Sequence, residues 1–174
     1  VFMPVFGLNN GMVPIIGYNY GAGKRDRIVK TYRLAVTYGI FIMCLGFGLF
    51  QLEADWLLSL FEASPAMTEM GVTALRIISV HFPLAGFSIV TSSLLQALGR
   101  SMYSLYISAI RQLLALTPIA WLLSLSGELN LVWWAFPLAE VVAILLCLLF
   151  KKRTIQGISR EMEQRPAGAA IPSP

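Results

Sequence analysis

The sequence predicts an all-α integral membrane protein with five transmembrane helices. Three observations carry this: an apolar, charge-poor composition, five segments of membrane-spanning length, and basic loops that fall on one side. Of the 174 residues, 57% are hydrophobic and 13% charged, and the mean hydropathy is +0.71. Soluble domains carry about 25% charged residues. A net charge of +4 and a pI near 9.3 suit a nucleic-acid binder only when the basic side chains gather on a solvated face. Here they lie between apolar runs, so nucleic acid is excluded as a partner and the lipid bilayer takes its place.

A segment needs about 20 residues at 1.5 Å rise to cross a hydrocarbon core of roughly 30 Å. The first expected span, about 2–22, is rich in Gly and Pro, which indicates a kinked or tightly packed helix. The second, 34–52, carries no charge. The third begins at Ser64-Pro65, where Ser can cap and Pro can occupy the first turn; it is expected to run unbroken through 65–98, with its first two turns outside the apolar slab. The fourth covers about 102–126 and includes Arg111 and Pro118. The fifth covers about 131–150 and includes Pro137 and Glu140. Gly127 and residues 128–130 form the short turn between these two. Residues 1–153 thus make the transmembrane unit, and residues 154–174, basic and then Pro/Ala/Gly-rich, are expected to be a disordered tail.

The boundaries differ sharply in charge, and cytoplasmic loops carry the excess of Lys and Arg. One set holds Lys24, Arg25, Arg27, Lys30 and Arg33, then Arg100, then Lys151, Lys152, Arg153, Arg160 and Arg165. The other holds Glu53, Asp55, Glu62, Glu69 and Glu128, with Arg76 as its one basic neighbour. The first residues are therefore expected outside and the tail in the cytoplasm of a multi-pass plasma (inner) membrane protein. A water-soluble helical bundle would show charged stripes within each helix, and none is seen. Position 1 is not Met and no signal-peptide pattern follows, so the chain is expected to begin inside a larger protein.

Ionisable groups at membrane depth face a cavity or a partner. Arg111 lies roughly 12 Å and Glu140 roughly 15 Å along their helices from the cytoplasmic boundary, and a short turn makes these helices antiparallel neighbours. The two side chains are expected to pair. Such a pair either holds two helices together or opens when Glu140 takes a proton or cation. His81 is either a hydrogen-bonded helix contact or a proton carrier, with Pro83 freeing a backbone carbonyl nearby. Asn9, Asn10, Asn19 and Gln96 bond across helices or line a water-filled path, the path being favoured for Asn10. Trp56, Trp121, Trp133 and Trp134 at the outer boundary, with Tyr18 and Tyr20 at the inner one, fit interfacial belts.

Cys44 and Cys147 lie deep in apolar runs and read as small buried hydrophobes. No metal site and no cofactor are expected. No phosphate loop, Ser/His/Asp set, HExxH or CxxC is present, which disfavours an enzyme. The classes left are a transporter, a lipid flippase and a non-transporting structural subunit.

The string Gly7-Leu8-Asn9-Asn10-Gly11-Met12-Val13-Pro14-Ile15-Ile16-Gly17-Tyr18-Asn19-Tyr20-Gly21-Ala22, followed by Lys24-Arg25-Asp26-Arg27, resembles the eighth helix and next cytoplasmic loop of the multidrug and toxic compound extrusion (MATE) family. Phe82-Pro83-Leu84 with Gln96-Ala97-Leu98-Gly99-Arg100, then Arg111-Gln112 with Pro118, then Trp134-Ala135-Phe136-Pro137 with Glu140 resemble helices ten, eleven and twelve. The resemblance covers about residues 1–153 and implies a two-lobe (6+6) chain of which this is most of the second lobe, the amino-terminal lobe being its missing partner. It implies efflux of cationic amphipathic drugs or toxic organic compounds by antiport with Na⁺ or H⁺, through alternating access of the two lobes. Some members use acids on helices seven and ten for the coupling cation. Helix ten here has Arg76 and His81 instead, so the coupling acids are expected in the missing lobe. A lipid-linked oligosaccharide flippase of the same superfamily is the alternative.

Overall fold

Which residues can face lipid and which must face protein is set by the 3.6-residue period, and α2 shows both faces. In this computed structural model, which describes residues 1–60 and 65–163, α1 spans Phe2–Gly21 and α2 spans Arg25–Leu52. On α2, Leu34, Tyr38, Phe41, Leu45 and Leu49 are exposed at spacings of three and four. The opposite face buries Ile28, Tyr32, Ala35, Gly39, Met43 and Gly46. An exposed stripe of large apolar side chains is what a helix in an apolar surrounding presents, where a helix in water would carry charge. Helix α2 starts nine residues before the expected boundary at 34, so Arg25, Arg27, Lys30 and Arg33 sit on its first turns rather than in a loop.

A short helix not anticipated from the sequence, α3 (Ala54–Ser59), follows. The expected cap at Ser64 and the acidic Glu62 lie outside the described residues. The third span is broken, not continuous: α4 (Pro65–Ser79) and α5 (Phe82–Ala97) meet at a 49° bend. Pro83 has no N–H to give to the Ser79 carbonyl, and its ring crowds the preceding turn. The chain therefore tightens, with Val80 and His81 donating to Ile77 and Ile78, three residues back. Gln51 at the end of α2 closes the gap, its Nε2 donating to the Arg76 carbonyl at 2.8 Å and to Ser79 Oγ at 3.1 Å.

Helix α5 is the centre of the fold, packed against α1, α2, α6 (Ser101–Ala109) and α9 (Ala135–Glu163). Its most extensive contact is with α2. They cross where Gly39 meets Gly86: a Cβ on Gly86 would lie 3.0 Å from the Gly39 carbonyl oxygen and 3.1 Å from Met43 Cγ. Small residues let membrane helices approach to backbone contact. The core around this crossing comprises Val5, Met12 and Ile16 of α1, Tyr32 and Met43 of α2, and Val90 and Leu94 of α5.

The fourth span is one helix in three parts: α6, a π-helical segment at Ile110–Leu116, and α7 (Thr117–Ser124). The widened turn precedes Pro118, which lacks the N–H for an ordinary α bond, and the Thr117 hydroxyl donates to the Gln112 carbonyl at 2.9 Å. After the one-turn α8 (Leu129–Val132), α9 buries Ala135, Ala139, Ala143 and Cys147, all small, against its neighbours. It continues to Glu163, so residues 154–163 are helical where a disordered tail was expected. Their order has a packing cause: Ile158 joins the main core, and Glu161 accepts from Arg100 Nη2 at 2.9 Å and from the Tyr20 hydroxyl at 3.0 Å. Residues 164–174 lie outside the described residues.

Of the five expected spans, three (α2, the α6–α7 unit and α8–α9) are long and apolar enough to cross a membrane, and the bent α4–α5 pair makes a fourth if counted as one span. Helix α1 has the length, with 20 residues, but its Asn, Tyr, Gly and Pro residues dilute its hydropathy.

Candidate functional site

Two polar stripes at helical spacing face each other across one cavity. Ser88, Ser92 and Gln96 recur every fourth residue on α5, and Ser104, Ser108 and Gln112 do the same on α6 and the π segment. Side chains at i and i+4 share a helix face. The cavity between them has a volume of about 440 Å³. Gln96 Nε2 donates to Ser104 Oγ at 2.8 Å near one end. Phe2, Phe6 and Phe136 add aromatic rings to the lining.

Arg111 and Glu140 meet in this cavity, as the antiparallel geometry of their helices required. Arg111 Nη1 donates to Glu140 Oε2 at 3.2 Å, and the Ser88 hydroxyl donates to Glu140 Oε1. The two partners differ in access: the Arg111 side chain is 35% exposed and that of Glu140 3%. Ser88 was not singled out from the sequence. Its signal was the four-residue spacing to Ser92 and Gln96, which a search for charges alone overlooks.

His81 sits at the α4–α5 break, where its Nδ1 bonds the Ile78 carbonyl. Its ring is stacked between Phe2 and Phe136, each at a centroid distance of 6.3 Å. His81 and Gln96 thus line the cavity with Arg111 and Glu140. Asn10 does not: it lies on the exposed face of α1 with Gly7, Pro14 and Tyr18, while Asn9 points inward and is buried. Asn19 is also buried, bonding back to the Ile15 carbonyl at 2.8 Å. Of the other motif residues, Gly21 and Ala22 end α1 at the surface, and Gly17 lies near the Ala97 carbonyl of α5. Arg76 pairs with Asp55 at 3.7 Å, their side chains 47% and 70% exposed, so it belongs to the acidic boundary and not to the cavity.

Apolar outer faces around a polar cavity define the class: a multi-helical integral membrane protein with a polar chamber between its helices. A family model described as MatE matches residues 1–122, and the chain belongs to the MatE family. It is 26% identical over 147 residues to the multidrug export protein MepA of Staphylococcus aureus (strain bovine RF122 / ET3-1), covering 83% of this chain and 32% of the relative. It is 24% identical over 144 residues to MepA of Staphylococcus haemolyticus (strain JCSC1435), covering 83% and 31%. The chain therefore spans about a third of the length of the curated relatives it matches. Among solved structures, it resembles the MATE multidrug transporter DinF-BH, solved as a ligand complex, at 35% identity and a TM-score of 0.80, over 88% of this chain and 35% of that one. It also resembles an inward-facing conformation of a multidrug resistance MATE family transporter of the MOP superfamily at 22% identity and a TM-score of 0.84, over 91% and 37%. An outward-facing conformation gives 0.83 at 22% identity, over 91% and 36%.

Proposed function

We propose that the chain is the carboxyl-terminal part of a secondary active exporter that moves cationic, amphipathic drugs or toxic organic compounds across the plasma membrane in exchange for Na⁺ or H⁺. The cavity carries this reading. Phe2, Phe6, Ile107, Leu116 and Phe136 offer it apolar contact, while serines, glutamines and the Arg111–Glu140 pair offer it hydrogen bonds, a combination that suits amphipathic solutes. The names of the MepA relatives and of the multidrug transporter DinF-BH support a small organic ligand. Near-equal likeness to an inward-facing and an outward-facing structure, with TM-scores of 0.84 and 0.83, supports alternating access in which these helices move as a unit against an amino-terminal lobe. No cofactor beyond the coupling ion is required. Glu140 gains a role in coupling if protonation frees Arg111.

The test is dye export by the full-length protein in vesicles, with Na⁺ and pH gradients imposed separately. One gradient alone is expected to drive export. Export under neither gradient sinks the reading. If H⁺ is the driver through Glu140, Glu140→Gln flattens the dependence of export on pH; an unchanged profile removes Glu140 from coupling.

A further inference from the structure

The two members of the cavity's ion pair present themselves unequally to a ligand. Glu140 has both oxygens occupied, by Arg111 Nη1 and the Ser88 hydroxyl, and its side chain is 3% exposed. It is the acid in the cavity lining, so an entering cation meets no free carboxylate on these walls. Arg111 is the reverse. Its side chain is 35% exposed, and its one hydrogen bond uses Nη1. The Nε–Nη2 edge, two parallel N–H donors in one plane, has no partner among the described residues. That edge matches a carboxylate's two oxygens. Ser93, Ser108 and Gln112 line the same cavity and add neutral donors.

We propose that this cavity takes the carboxylate end of a zwitterionic aromatic amphiphile, held on the Nε–Nη2 edge of Arg111 with its ring system against Phe2, Phe6 and Phe136. This rests on the export reading above and narrows its substrate class: the ligand's cationic group is met elsewhere in the protein, and its acidic group is met here. A charged hydrogen bond shielded from bulk water changes affinity by about tenfold or more. Removing the acid from an otherwise identical molecule is expected to forfeit that factor.

A rhodamine with a free carboxylate and its ethyl ester share one ring system and differ in this group alone. Binding of both to the full-length protein in lipid nanodiscs, read by fluorescence anisotropy, is expected to favour the acid by about tenfold or more. Arg111→Gln is expected to bring the acid down to the affinity of the ester, with ester binding retained as the sign of an intact fold. Equal affinities in the unaltered protein overturn the proposal, and that comparison stands whether or not the variant folds. A preference for the acid that survives in Arg111→Gln also overturns it. Export of the ester without preference for the acid removes this proposal and leaves the export reading in place, whereas neither binding nor export of either dye removes both.

Discussion

At the scale of single residues, the Arg111–Glu140 pair makes an asymmetric demand on stability. A buried charge that loses its partner costs several kcal/mol, because water cannot replace what was removed. Glu140 is 3% exposed and Arg111 35%, so the two deletions are not equivalent. Arg111→Ala leaves Glu140 either charged without compensation or obliged to take up a proton, and is expected to cost about 3 kcal/mol. Glu140→Ala leaves a guanidinium that can turn toward cavity water, and is expected to cost about 1 kcal/mol. Unfolding in detergent, followed by the labelling of Cys147 on a Cys44→Ser background, reads both, since Cys147 is fully buried and Cys44 is exposed. Equal losses would mean that the cavity is dry around Arg111. The pair itself was legible in the sequence because opposite charges at matching depth on antiparallel neighbours have few other partners. Asn10 lies outside this cavity for an equally physical reason: Asn9 and Asn10 are adjacent and therefore about 100° apart on the helix, so only one can turn inward, and composition does not say which.

At the scale of elements, the α2–α5 crossing depends on two glycines that are not equally replaceable. A Cβ on Gly86 would meet backbone, the Gly39 carbonyl oxygen at 3.0 Å, which cannot move without parting the helices. A Cβ on Gly39 would meet Val90 Cγ2 at 3.0 Å and the Gly86 carbonyl at an ordinary 3.6 Å, so a side-chain rotation relieves most of it. Gly86→Ala is expected to cost about 2 kcal/mol and Gly39→Ala under about 1 kcal/mol, measured as shifts in unfolding temperature of the same Cys147 signal. The reverse order would place the true contact elsewhere along the pair. Apolar length made α2, α5, the α6–α7 unit and α9 visible in the sequence, but their ends and breaks were not. The start of α2 is hidden because Arg25, Arg27, Lys30 and Arg33 are good helix formers whose charge hydropathy reads as loop. The α4–α5 break was half legible: Pro83 announces a lost hydrogen bond, whereas the 49° bend depends on Gln51 arriving from α2. Likewise the helix through 154–163 owes its order to Ile158, Arg100 and Tyr20, contacts made at long range.

At the scale of the whole molecule, the charges sort the helix ends into two opposed faces, and the packing agrees with that sorting. Tyr20, Arg100 and Glu161 meet in one network, which brings the end of α1, the α5–α6 turn and the end of α9 together. These are the three boundaries to which the sequence assigns the basic residues, Arg100 alone in the α5–α6 turn. Lys151 on the same side lies over the rings of Tyr32 and Phe87 at 5.5 and 5.4 Å, a contact that holds a cation at the edge of the slab. At the other end, Asp55 meets Arg76 and Gln51 meets the α4–α5 break, with Glu128 leading into α8. The excess of basic residues is the ground on which we propose that the first face is cytoplasmic. Single cysteines on a background lacking Cys44 and Cys147 test this in intact cells with a membrane-impermeant maleimide. Glu128→Cys is expected to label from outside, whereas Arg27→Cys and Arg160→Cys label only after permeabilisation. Because Arg27 and Arg160 sit on different helices whose ends share one face, they must behave alike. Labelling of one without the other would break the arrangement of the helices, and labelling of both from outside would invert the protein in the membrane while leaving the fold intact.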